Sequence, residues 1–211
     1  PQGPMIDIGC SAGRSTFTLA EQKDDLVLGV DLNFSMLKTA LDVLNTGSVS
    51  YPRRSVGMVY DRREFCVNFS NRDRIDFWVC DALMLPFSSA SFSFASSMNL
   101  LDCVSSPHSH LESLERILLD NGKVMIASPY DWSSSATAPE AWIGGHSQRS
   151  DNKGRSEAHI KDLFKGGNNP ARIEGLKLIG EKECEPWTVR LHERSVMKYQ
   201  VHLLAAEKES L

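Results

Sequence analysis

The sequence predicts an α/β domain built on a mostly parallel sheet with helices on both faces. Three observations carry that prediction. Short apolar runs alternate with amphipathic segments along most of the chain, the pattern of strands joined by crossover helices. The first run, Met5-Ile6-Asp7-Ile8, passes through a glycine-bearing turn, Gly9 to Gly13, into a helical segment. The second and third core runs are each followed by an aspartate, Asp31 and Asp81. A length of 211 residues suits one domain with a sizeable core.

Taken in order, Arg14–Gln22 reads as the first helix and Leu26–Val30 as the second strand. Asn33 is suited to cap the next helix, which sets Phe34, Leu37, Leu41 and Leu44 at helical spacing on one face. Residues 47–74 interrupt the pattern with an Arg-rich insertion, expected as a hairpin with arms Ser55–Tyr60 and Glu64–Phe69. Ile75–Cys80 and Ser91–Ser97 are the next core strands. Ser106 and Pro107 open a helix with Leu111, Leu114 and Leu118 as its buried stripe, and Asn121-Gly122 is expected to end it. Lys123–Ser128 is a fifth strand. Residues 129–155, rich in Ser, Gly and Trp, form a long loop of the kind that serves as a lid. A short helix follows over Ser156–Lys165 with Gly166 as its stop. The runs Leu176–Glu183 and Val196–Ala206 close the chain as an antiparallel hairpin.

Composition narrows the classes. The net charge of −4 gives no footprint of nucleic-acid binding, and no apolar run approaches the ~20 residues of a membrane helix. The five cysteines form no CxxC pair, which argues against a zinc ribbon or a thioredoxin-type site. Their odd number reads as reduced thiols, hence a cytoplasmic protein. The chain opens on Pro1 and reaches its first motif within a few residues, so a natural N-terminal segment is expected to be missing.

The chemistry concentrates in three places. The turn Gly9-Cys10-Ser11-Ala12-Gly13 has G-x-x-x-G spacing, not the G-x-G-x-x-G of dinucleotide binders. Its glycines let the backbone approach a ligand, and the helix it opens offers free N–H groups. Asp31 follows at the distance where nucleotide-binding α/β folds place an acid for ribose hydroxyls, and a carboxylate can accept from both hydroxyls of a diol. Asp81, with the backbone of Ala82 and the side chain of Leu83, can meet an adenine edge and face.

These segments resemble the class I methyltransferases that use S-adenosylmethionine (SAM), and the resemblance extends through Ser97-Met98-Asn99-Leu100-Leu101. It implies a Rossmann-like seven-stranded sheet whose last strand is antiparallel, with SAM as cofactor. It also implies that Gly9 and Gly13 face the methionine part, Asp31 the ribose and Asp81 the adenine, with Cys10, Leu32, Ala82 and Asn99 also in the cofactor site. Asp7 would orient the turn or hold the amino group. A narrower resemblance joins Asn99-Leu100-Leu101-Asp102, Ser128-Pro129-Tyr130-Asp131-Trp132 and Trp142-Ile143-Gly144-Gly145. These look like the methyltransferase part of ovothiol synthase, a thiohistidine N-methyltransferase.

On that reading the acceptor is a small molecule, with an imidazole or amine nitrogen as candidate atom and no membrane partner; a nucleic acid fits poorly. The Asn-Pro-Pro-Tyr tetrad of many amino-methyltransferases is absent at the fourth strand, where Ser97-Met98-Asn99-Leu100 stands. Asp102, Tyr130 and His146 are the candidate catalytic residues, with His192 a surface alternative and no metal expected. Tyr130 and Trp132 can stack on a flat acceptor. The insertion 47–74 carries +3 against −7 for the rest of the chain, which makes Arg53 and Arg54 candidates for an anionic group on the acceptor. An NAD(P)-linked oxidoreductase and a non-catalytic scaffold are the competing readings.

Overall fold

The computed structural model describes residues 2–165 and 169–210; the helix stop expected at Gly166 lies outside them. The main sheet has seven strands. β1 (Met5–Ile8) leads to α1 (Arg14–Gln22), β2 (Val27–Asp31) and α2 (Phe34–Thr46). A separate two-stranded ribbon follows, β3 (Ser48–Val56) and β4 (Val59–Cys66). The chain then returns to the main sheet through β5 (Ile75–Val79) and β6 (Phe92–Met98). Next come α3 (Pro107–Ile117), β7 (Leu118–Ser128), α4 (Ser156–Phe164), β8 (Leu176–His192) and β9 (Ser195–Lys208).

The strand order is β5-β2-β1-β6-β7-β9-β8. β1 pairs in parallel with both β2 and β6, while β9 runs antiparallel to its neighbours β7 and β8. The chain therefore builds outward from β1 in one direction and then in the other. The strand order reverses between the carboxyl ends of β1 and β6, the place where open α/β sheets bind ligands.

Alternation along β1 sends side chains to both faces. Ile6 and Ile8 join Leu111, Leu114 and Ile117 of α3 and Ile160 of α4, while Met5 joins Phe17 of α1 and Leu37 and Ala40 of α2. Each buried Ile, Leu, Phe or Met among them contributes about 1.5–3 kcal/mol, so both faces anchor the strands whose ends form the site. Asn33 caps α2 as expected, accepting the Ser35 and Met36 N–H groups at 3.1 and 3.3 Å. Among the described residues no helix is long and apolar enough to cross a membrane.

Four local expectations change. Phe34 is exposed, and the buried stripe of α2 is Leu37, Ala40 and Val43. The hairpin turns at Gly57-Met58, not at 61–63, with Val56 paired to Val59. Gly57 takes φ +56° there, a conformation glycine adopts without strain. The polar run Asp61-Arg62-Arg63 resembles a turn in sequence but is strand, because both faces of this ribbon meet solvent. Leu118 is buried but belongs to β7, and Asn121-Gly122 lies in the irregular start of that strand, where pairing jumps from Phe92–Leu118 to Phe94–Lys123. Finally, β8 and β9 extend well beyond 176–183 and 196–206 into a polar ribbon held in part by the stacked pair Trp187–Tyr199, with centroids 5.2 Å apart.

Candidate functional site

The turn after β1 is shaped by its own backbone. Gly9, Ser11 and Gly13 all have positive φ, +74°, +52° and +83°. A Cβ on Gly13 would lie 2.7 Å from the Phe77 ring, and one on Gly9 would press on Leu100 at 3.0 Å. The Gly9 and Cys10 N–H groups donate to the Val30 carbonyl at 2.8 and 3.0 Å, which ties the turn to β2. Asp7, at 1% exposure, secures it from beneath. Its carboxylate accepts the hydroxyls of Ser15 (2.6 Å) and Thr16 (2.7 Å) from α1 and of Ser96 (2.5 Å) from β6. Burial pushes its pKa up, and the three hydroxyls pull it partly back. Asp7 thus ties the first turn of α1 to β6. Cys10 is buried, and its thiol pKa is raised by burial first and by Asp7 next, so it packs as a small apolar group.

Asp31 sits at the carboxyl end of β2. Its Oδ2 accepts the Ser11 N–H at 2.8 Å and its Oδ1 the Asn33 N–H at 2.7 Å. Each oxygen keeps a further lone pair, so the carboxylate is oriented and still able to accept. Asp81 follows β5 and accepts the Leu83 N–H at 2.9 Å. These groups meet around a cavity of about 300 Å³ lined by Gly9, Asp31, Leu32, Asp81, Ala82 and Leu83 and also by Leu100 and Cys103. Its size falls at the lower end of the range for small-molecule and cofactor sites. Cys10 and Gly13 are not among its lining residues. Asn99, with φ +56°, donates its N–H to Ala127 at 2.7 Å, and its Oδ1 is buried without a partner.

The profile of the family described as "Methyltransferase domain" matches residues 6–126, more than half of the chain. This chain belongs to that family. No curated protein matches it. Among solved structures it is similar to a SAM-dependent methyltransferase of Methanosarcina mazei, with a TM-score of 0.60 and 16% identity, covering 99% of this chain and 93% of that one. It is also similar to an enzyme that converts a disulfide into a thioacetal in echinomycin biosynthesis (TM-score 0.64, 18% identity, 99% and 76% coverage). A third similar structure is the [4+2]-cyclase SpnF (TM-score 0.60, 14% identity, 99% and 75% coverage). At these identities the structures share the fold. The methyltransferase family and its fold make SAM the cofactor, and the residues present fit it. The glycine turn leaves an approach that a Cβ would restrict, and acids stand at the ends of adjacent strands β2 and β5.

The candidate catalytic residues separate in space. Asp102, 3% exposed, follows β6. Its Oδ2 accepts the Asp131 N–H at 2.7 Å, while its Oδ1 is buried without a partner. Burial raises its pKa, against the lowering by that N–H, by its own N–H and by the Ser128 hydroxyl close by. Tyr130 is mostly buried, with its hydroxyl 2.7 Å from His202 Nδ1. Burial pushes its pKa far up, with Glu157 adding to the effect. This hydroxyl is held by β9 and does not line the 300 Å³ cavity. His146 lines a different cavity of about 620 Å³, between the 139–152 segment and α4.

The segments of the narrower resemblance do meet. Asp102 bonds Asp131, and Trp132 stacks on Tyr130 and Trp142 at 6.3 and 6.1 Å. Gly144 and Gly145 are where close packing requires them. Added Cβ atoms would strike the Ser156 backbone at 2.7 Å and the Trp132 ring at 2.8 Å.

One contributor escapes a reading by motif. His110 is fully buried on α3, its Nε2 2.9 Å from Ser97 Oγ and its Nδ1 3.5 Å from the Ala82 carbonyl. It braces the segment beside Asp81 against β6. Its signal is a histidine inside the buried stripe that Pro107, Leu111 and Leu114 complete.

Proposed function

We propose that this methyltransferase acts on a small-molecule acceptor, with an amine or imidazole nitrogen receiving the methyl group. The observation that carries the reading is Asp102: a buried carboxylate whose Oδ1 makes no hydrogen bond, with the Ser128 hydroxyl near it, in the segment after β6 that bonds Asp131, between Tyr130 and Trp132. An unpartnered buried acceptor is costly, and an acceptor N–H would satisfy it. At the end of the Tyr130–Trp132–Trp142 stack, Trp142 lines the cavity of about 620 Å³, where it offers a wall for a flat ring. The narrower resemblance, to a thiohistidine N-methyltransferase, points to the same atom class.

In this reading the Gly9 turn brings backbone close to the methionine part, Asp31 takes the ribose hydroxyls, and Asp81 with the Ala82 backbone meets the adenine edge. Bound SAM supplies a methyl group already activated by its sulfonium. The protein's task is to hold the nucleophile in line and exclude water, and orientation alone supplies several kcal/mol of a barrier. A base is required only for a nucleophile that must lose a proton during attack. Asp102 then positions that nitrogen, and the Tyr130 hydroxyl, tied to His202, shapes the wall.

The test is mass spectrometry of a metabolite extract incubated with the protein and methyl-labelled SAM. A labelled small molecule, methylated on nitrogen, is expected. Label confined to protein or RNA contradicts the reading. Asp102→Asn should keep SAM affinity and lower turnover of the identified acceptor roughly 10- to 100-fold, the range of a hydrogen bond to a charged group. Equal loss of SAM binding would place Asp102 in the cofactor site instead.

A further inference from the structure

A second feature lies beyond the cofactor cavity, where the two ribbons meet. The β7–β9 pairing ends at Ser128–His202, so Ser195–Val201 of β9 and the β8 residues paired with them project past the carboxyl end of β7. The tip of this projection touches the Arg-rich hairpin: Ser55 Oγ donates to Glu193 Oε2 at 2.7 Å. Its base stands beside Asp102, because the Tyr199 hydroxyl donates to Asp131 Oδ2 at 3.2 Å and the Asp131 N–H in turn donates to Asp102. The ribbon is therefore one continuous wall from Asp102 to the hairpin.

Between β3 and the β8 tip is a cleft of about 480 Å³, with Arg53, Arg54 and Arg190 among its lining residues together with Tyr51, Tyr60 and His192. No carboxylate lines it. The acids nearest in sequence or register have other partners. Glu193 takes the Ser55 hydroxyl, and Asp61, cross-strand from Arg53, lies 3.7 Å from Arg63. Among the described residues none of the three arginines forms an ion pair, and Arg53 Nε is buried with no hydrogen-bond partner. Arg190 reaches only the Glu193 carbonyl, at 3.4 Å. Solvated surface arginines are common, but these come from strands far apart in sequence, β3 and β8, and border one concave place. Gathering like charges without a counter-ion is unfavourable, and a bidentate anion relieves it.

We propose that this cleft binds the carboxylate or phosphate of an anionic methyl acceptor. The proposal rests on the methyltransferase reading and narrows its substrate class. The test uses the whole chain and a double variant, Arg54→Ala with Arg190→Ala, at constant ionic strength in chloride. Citrate and inorganic pyrophosphate serve as probes that distinguish carboxylate from phosphate, and SAM is titrated into the same samples. Saturable binding of one probe, weakened at least tenfold in the variant while SAM affinity is unchanged, is expected. In the labelled-SAM extract experiment, the labelled product should be retained on an anion exchanger and its yield should fall at least tenfold with the variant. SAM binding without saturable anion binding overturns the cleft, as does equal anion affinity in the variant, a neutral product, or label in RNA. Absence of SAM binding in the unaltered chain would instead overturn the methyltransferase reading.

Discussion

Asp31 holds the Ser11 and Asn33 N–H groups, so its carboxylate is oriented before any ligand arrives. Asp31→Ala should weaken SAM binding by ~1.5–3 kcal/mol, the scale of hydrogen bonds to a charged group. Calorimetry on the folded variant checks this, and an unchanged affinity rules the assignment out. His110 makes a different claim, about pH. Burial pushes its pKa down to about 4. A base whose folded pKa lies below its unfolded value, ~6.5, stabilises the fold above that value, and the contribution is lost as pH falls from ~6.5 toward 4. The full effect approaches about 3 kcal/mol. Asp7 and Asp102, with raised pKa values, act with the opposite sign and favour the fold as pH falls. The comparison must therefore be between the protein and His110→Gln. Urea unfolding at pH 7 and 4.5 should show a steeper loss for the unaltered protein, and parallel curves would contradict the assignment.

At the scale of elements, the loop 129–155 is expected to close over the acceptor, yet it is tied to the body of the domain at several points. Thr137 Oγ1 donates to the Val104 carbonyl at 2.6 Å, Trp132 Nε1 to Ser156 Oγ at 3.0 Å, and Ile143 is buried. Gly145→Ala should cost about 1–3 kcal/mol, because φ is +76° and the new Cβ meets the Trp132 ring. Thermal unfolding checks this, and an unchanged midpoint would show that the loop yields there. Limited proteolysis should show protection within 146–153 only when SAM and acceptor are both present, and equal cleavage in all states argues against closure. These elements also show what the sequence made legible. Strands β1, β2, β5 and β6 could be read because each is apolar and bounded by a turn or cap, and Asp31 and Asp81 stood out at their ends. The β3–β4 turn and the upper half of β8–β9 were not legible. Solvent lies on both faces of those ribbons, so no alternation marks them, and a single Gly57 decides where the first one turns. The meeting of Arg190 with Arg53 and Arg54 depends on that long-range geometry and leaves no local signal.

For the whole molecule, the fold places the ligand site and leaves the chemistry open, as the similarity to a [4+2]-cyclase illustrates. The specific commitments here are the G-x-x-x-G turn and the two aspartates facing one cavity. A ligand that binds only the folded state adds stability by mass action, about 2.7 kcal/mol at a hundredfold excess over Kd. SAM should therefore raise the unfolding midpoint roughly with the logarithm of its concentration above Kd, and a midpoint that does not move would count against the site. The central claim is that this cavity takes SAM through Asp31 and Asp81, not a nicotinamide dinucleotide. Its most direct test is parallel calorimetric titration of the purified chain with SAM and with NAD. The account predicts saturable one-to-one heat for SAM, abolished or greatly weakened when Asp31 and Asp81 are both changed to Ala, and no saturable heat for NAD. Saturable binding of NAD, or SAM binding that survives the loss of both aspartates, would contradict it.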